Sequence, residues 1–191
     1  MQTLEQLNRE LEALCRDVWP GEDKTLVFGD GNGASPALML VGEAPGEQEV
    51  LKKRPFVGKA GKNLDEFLEL AGLDRSAIYV SNVVKIRPFE IGPTGRMRNR
   101  APNKEELALF TPFLMRESAI VNPQMIVTLG NFPLQAYMGK DKTVGECHGK
   151  VHLLPQGIRL FSLYHPASII YRPQLKEVYR QDVLTLRDLL Q

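Results

Sequence analysis

The sequence predicts an α/β protein: a three-layer α/β/α sandwich around a central four-stranded parallel sheet, built as one domain over residues 1–191. Two observations carry this. Short, almost wholly apolar runs alternate with amphipathic stretches, and a strand that is apolar on both faces marks a parallel sheet covered by helices on each side. The 191 residues, 43% hydrophobic and 25% charged, suit one globular core.

Thr3–Arg16 carries Leu4, Leu7, Leu11 and Leu14 at helical spacing. Trp19–Ser35, rich in Gly, Pro and Asp, reads as loop. Ala37–Val41 is a buried strand ending at Gly42. Ala60–Ala71 is an amphipathic helix closed by Gly72. Ile78–Val84, β-branched and aromatic, is the second strand, and Lys85–Ala101 a basic loop punctuated by Gly and Pro. Asn103 caps a helix reaching about Ile120, with Glu105 and Glu106 in its first turn. Met125–Leu129 is the third strand, Phe132–Tyr137 a short helix, and Glu146–Leu154 either a small hairpin or an irregular segment. Leu160–Tyr164 is the fourth strand, and Gln174–Leu190 the closing helix.

Composition excludes several classes. Cys15 and Cys147 stand far apart and nothing at the N-terminus has signal-peptide character, so a disulfide scaffold is not expected and a reducing cytoplasm is. No apolar run is long enough to span a bilayer. His148, His152 and His165 form no zinc-type spacing with the cysteines, and the first two read as surface residues. No nucleophile elbow occurs. The turn Gly42–Gly46 is neither a dinucleotide fingerprint nor a P-loop. The net charge of +1 is silent on nucleic acid, but local basic clusters exist at Lys52–Arg54 and at Arg96, Arg98, Arg100 and Lys104, with Lys85 and Arg87 upstream.

Open parallel sheets bind ligands at the carboxyl ends of their strands. Those ends read Gly42-Glu-Ala-Pro-Gly46, Ser81-Asn82, Thr128-Leu-Gly130 and Tyr164-His-Pro-Ala-Ser168. Together they gather a carboxylate, a carboxamide, a histidine and permissive glycines, a set able to bind and polarise a small planar heterocycle. Phe56, between Pro55 and Gly58, is either core packing under its loop or a platform on which an extruded base stacks.

Gly42-Glu-Ala-Pro-Gly-Glu-Gln-Glu49, Arg54-Pro-Phe-Val-Gly-Lys-Ala-Gly61, Ser81-Asn-Val-Val-Lys85, Asn99-Arg-Ala-Pro102 and His165-Pro-Ala-Ser168 occur in one order across nearly the whole chain. As an ordered set, they resemble the family 4 uracil-DNA glycosylases. The resemblance implies base flipping of deoxyuridine into a pocket, with Gly42 and Ala44 at its wall and Phe56 stacked on the uracil. Asn82 would read the O4 and N3 edge, and His165 would donate to O2 as negative charge develops. Lys85, Arg87 and Arg100 would contact DNA, as would Pro166, Ser168, Ile170, Tyr171 and Arg172, with Ile169, Ile170 or Tyr171 as the wedge. Glu43 and Glu49 are the candidates for assisting the water, with Glu43 preferred.

The chain departs from that family at its iron–sulfur cysteines. Cys15 matches the first, but Val18, Ile86 and Phe110 stand at the others. One thiolate cannot hold such a cluster, so a colourless protein without cofactor is expected. A related variant class traps uracil on a histidine in a basic loop; Gly95–Ala101 has none. The expectation is therefore a monomeric, monofunctional glycosylase acting on uracil-containing DNA. The alternatives are a degenerate nucleic-acid-binding relative and a small nucleoside- or nucleotide-acting enzyme.

Overall fold

The computed structural model describes residues 2–22, 24–155 and 157–191, apart from the side chains of Lys59, Ala60, Ile170 and Tyr171. Four strands, β2 (Leu38–Gly42), β3 (Ile78–Asn82), β6 (Met125–Leu129) and β8 (Arg159–Leu163), run parallel in the order β3-β2-β6-β8. These are the four expected strands. The sheet is larger than expected, because an antiparallel strand covers each edge. β1 (Asp30–Gly31) pairs with β3 inside the expected loop Trp19–Ser35, and β7 (Val151–Leu153) pairs with β8. β4 (Phe89–Ile91) and β5 (Met97–Asn99) make a separate hairpin within the expected basic loop.

Eight helices appear among the described residues: α1 (Leu4–Val18), α2 (Glu47–Lys52), α3 (Lys59–Ala71), α4 (Lys104–Val121), α5 (Asn131–Met138), α6 (Val144–Cys147), α7 (Pro166–Tyr171) and α8 (Leu175–Leu190). Their ends follow local chemistry. Thr3 and Gln6 form a capping box at α1, and Asn103 with Glu106 forms another at α4. The segment at 146–154, left open by the sequence, divides into the end of α6 and the edge strand β7.

Residues alternate along the buried strands between two cores. Met39, Val41, Tyr79, Ile126 and Leu160 pack with Leu7, Leu11, Phe110 and Leu114 on the face of α1 and α4. Leu38, Leu40, Val80, Val127 and Phe161 pack with Leu64, Phe67, Val183 and Leu186 on the face of α3 and α8. This double coverage fixes the sheet, so all four parallel carboxyl ends lie at one rim.

Candidate active site

That rim opens onto a cleft of about 530 Å³, whose lining includes Ala44, Glu49, Phe56, Asn82, Arg87, Met97, Asn99 and His165. Three of the four expected strand ends contribute to it. The end of β6 supplies only backing: a Cβ placed on Gly130 would stand 3.3 Å from the Cβ of His165.

Asn82 closes β3 and is 5% exposed. Its carboxamide has no hydrogen-bond partner among the described residues, leaving donors and acceptor for a ligand. Gly42 sits opposite it. A Cβ there would meet Asn82 Oδ1 at 2.5 Å and the Phe56 ring at 2.8 Å, so only glycine leaves the carboxamide and the ring in place.

Phe56 combines the two placements that the sequence left open. It packs into the core on the α3 face and also lines the cleft. Its φ of +53° is left-handed, a strained conformation for a bulky residue that surrounding contacts must hold. Three do. The Arg75 guanidinium donates to the carbonyls of Pro55 and Phe56 at 3.3–3.4 Å. Gly61 lets the Phe56 carbonyl approach, where a Cβ would stand 2.3 Å from that oxygen. Glu49 accepts from the N–H groups of Val57 and Gly58 at 3.1 and 2.7 Å.

The two candidate carboxylates differ sharply. Glu49, 7% exposed, also accepts from Gly46 N at 3.1 Å. Both of its oxygens are thus committed to backbone, tying the first motif loop to the second. Glu43 is half-buried, has no side-chain partner among the described residues, and burial raises its pKa above the ordinary carboxylate range. Glu43, expected among the strand-end groups that form the site, is not one of the residues lining the cleft, although its neighbour Ala44 is; its backbone carbonyl accepts from Val84 N at 3.0 Å.

His165 caps α7. Its Nδ1 accepts from Ala167 N at 3.1 Å, which leaves the proton on Nε2. Burial lowers its pKa below that of free histidine, so the ring is neutral at pH 7 and presents an N–H donor.

The expected DNA contacts divide. Lys85 is a correction: it is 2% exposed, and its ammonium is spent inside the protein on Glu117, Ser81 and the Asn82 carbonyl. Arg100 forms a bidentate pair with Glu106 at 2.7–2.8 Å, so it braces the start of α4 rather than standing free. Arg87 reaches the cleft while donating to Asn99 Oδ1 at 2.8 Å. Pro166 is buried at the first position of α7, a second correction, since its fixed φ starts the helix instead of offering surface. The Ser168 hydroxyl donates to the His165 carbonyl at 2.7 Å, so its proton is already engaged. Arg172 is exposed. The side chains of Ile170 and Tyr171 lie outside the described residues, while Ile169 faces the groove between α3 and α8. His148 and His152 are half-buried rather than on the surface; His148 Nδ1 lies 2.8 Å from Asp182 Oδ2.

Sequence reasoning missed Arg75 and Met97. Arg75 stands in a single 3₁₀ turn with no motif around it, 19 residues from the carbonyl it holds. Met97 is on a hairpin whose apolar residues face outward.

Residues 28–186 match the family model described as the uracil DNA glycosylase superfamily. The chain is 36% identical to the type-4 uracil-DNA glycosylase of Archaeoglobus fulgidus, over 99% of this chain and 94% of that one. It is 32% identical to the type-4 enzyme of Sulfurisphaera tokodaii, over 99% and 86%. In structure it is similar to SMUG2 of Pedobacter heparinus, with a TM-score of 0.56 at 16% identity over 97% of this chain and 84% of that one; this likeness bears on the fold alone.

Proposed function

The chain belongs to the uracil DNA glycosylase superfamily, and from that premise we propose that it hydrolyses the N-glycosidic bond of deoxyuridine in DNA, initiating base-excision repair. The observation that carries this is the meeting, in one cleft, of a carboxamide without a hydrogen-bond partner among the described residues, an aromatic ring carried on a left-handed backbone and a neutral histidine N–H donor.

Each has a role in the reaction. A deoxyuridine flipped from the stack enters the cleft. Its ring stacks on Phe56, a contact worth about 1–3 kcal/mol. The Asn82 carboxamide accepts from N3–H and donates to O4. Cytosine presents the reverse pattern and leaves these buried groups unpaired, which discriminates strongly. As the glycosidic bond breaks, electrons move onto the departing base, and His165 Nε2–H stabilises the charge at O2 without giving up its proton. The sugar becomes cationic and water adds at C1′, its proton leaving to solvent; Glu43, next to the cleft-lining Ala44, is the carboxylate assigned to stabilising that charge and orienting the water. Glu49, with both oxygens committed to backbone, shapes the pocket rather than activating water. Helix α7, which carries Ile170 and Tyr171 and ends at the exposed Arg172, is assigned as the wedge element.

An iron–sulfur cluster does not fit the residues at the family's cluster positions. Cys15 is buried and its thiol is pushed up to about 11, the opposite of what metal ligation needs. Ile86 and Phe110 are core residues, and Phe110 stacks on Trp19 at 6.2 Å. No group of three or more potential metal ligands occurs among the described residues. The enzyme works without a cofactor, as a monomer in a reducing cytoplasm, where two buried free cysteines are compatible with the setting. No described helix is long and apolar enough to cross a membrane.

The test is cleavage of an oligonucleotide with a single deoxyuridine, followed by alkali. Scission at the uracil, lost in His165→Ala, supports the reading; intact oligonucleotide in single- and double-stranded form contradicts it.

A further inference from the structure

One buried charge pair plays no part in the chemistry described above. Lys85 is 2% exposed and Glu117, on α4, is 3% exposed; ammonium and carboxylate meet at 2.7 Å. Lys85 Nζ also donates to Ser81 Oγ at 2.5 Å and to the Asn82 backbone carbonyl at 2.7 Å, so all three of its donors are used. Glu117 in turn accepts from the Tyr79 hydroxyl and the Ser81 hydroxyl at 3.0 Å. Drawing two charges out of water costs about what their attraction returns, so stability alone does not account for such a pair.

What the pair fixes is the end of β3. Beyond Asn82 the chain leaves the strand, yet Val83 N and Val84 N still donate to the Gly42 and Glu43 carbonyls at 2.9 and 3.0 Å. The peptide following Asn82 is therefore pinned by β2 through its N–H and by Lys85 through its carbonyl. The Asn82 side chain has no hydrogen bond of its own among the described residues, so its direction depends on its backbone and on packing against Phe56 and Gly42.

We propose that Lys85, anchored by Glu117, is a positioning residue that sets the Asn82 backbone so that its carboxamide meets the uracil edge. This rests on the glycosylase reading above. It replaces a phosphate-contacting role for Lys85 with one behind the pocket.

The experiment compares wild type, Lys85→Met/Glu117→Gln and Lys85→Arg, each with and without Asn82→Ala, on a single-deoxyuridine oligonucleotide below the melting temperature of every protein. The double substitution removes both charges yet leaves an acceptor for Tyr79 and Ser81. The expected result is a fall in kcat of roughly tenfold to a hundredfold, with KM and its salt dependence unchanged, and a further loss of less than about threefold once Asn82 is alanine, because coupled residues are non-additive. Lys85→Arg, which keeps the charge but cannot place one donor on each of three partners, falls between. Equal losses in both backgrounds, an undiminished kcat, or a change confined to KM and salt slope would overturn the proposal. So would failure of the double variant to fold at any temperature, which would make the pair a folding element. Wild-type inactivity would instead strike the glycosylase reading itself, and this proposal with it.

Discussion

At the scale of single residues, the site depends on what is missing as much as on what is present. Gly42 has no side chain because any Cβ would displace the Asn82 carboxamide and the Phe56 ring together. Gly42→Ala is therefore expected to lower kcat by roughly a hundredfold, the scale of an ångström-sized misplacement, with a thermal midpoint close to wild type. Single-turnover kinetics and calorimetry on the same preparation check both halves. The protonation states set the pH dependence. In the proposed mechanism Glu43 acts as an anion, and burial raises its pKa, so activity is expected to fall on acidification through a limb lying above the ordinary carboxylate range. In the same mechanism His165 acts as the neutral ring, and burial lowers its pKa, so it keeps that form from below the free-histidine pKa upward. The profile of kcat/KM is thus expected to rise with pH and then level, and Glu43→Gln to flatten the acidic limb at a reduced rate. An unchanged limb in that variant would remove Glu43 from the mechanism. That Asn82 and His165 would meet in one cleft was legible because their types and order are distinctive at strand ends. Lys85 was misplaced because a lysine within a basic stretch looks like surface, and nothing local announces a Glu117 32 residues away on another element.

At the scale of elements, Glu49 joins the start of α2 to the loop before α3 through three backbone N–H bonds. Glu49→Ala strands those donors and is expected to cost about 3 kcal/mol, against about 1 kcal/mol for the helix cap lost in Asn103→Ala. Urea denaturation measures both. A Glu49→Gln protein that kept full stability but lost all turnover would instead return Glu49 to the chemistry. The long helices and the four parallel strands were readable to within a few residues, because burial on a fixed period leaves its mark in the sequence. The hairpin of β4 and β5 was not: Phe89, Ile91 and Met97 are exposed, so their apolar character carries no core-facing alternation. The helices α2 and α7 escaped for another reason. At six residues each, neither is long enough to display a helical stripe.

At the scale of the whole molecule, the parallel sheet places every functional strand end at one rim, and the two cores hold that rim rigid from both faces. The edge strand β1 was invisible in sequence and β7 was left open between a hairpin and an irregular segment, since two or three residues paired at an edge need no apolar pattern. The proposal that the protein carries no iron–sulfur cluster rests on packing at this scale. Ile86 and Phe110 are buried in the same core as Cys15. Purified protein is therefore expected to show no visible absorbance and no bound iron, and its thermal midpoint to be unchanged by a strong chelator. A coloured protein that melts earlier after chelation would contradict this.

The central claim is tested most directly by chromatographic detection of the free base released from three oligonucleotides alike except for one deoxyuridine, deoxycytidine or thymidine, with free deoxyuridine as a fourth substrate. The account predicts uracil from the first alone, at a catalytic rate that His165→Ala and Asn82→Ala each lower by roughly a hundredfold or more while leaving it measurable. Uracil from free deoxyuridine but not from DNA, or release that survives both substitutions, would contradict it.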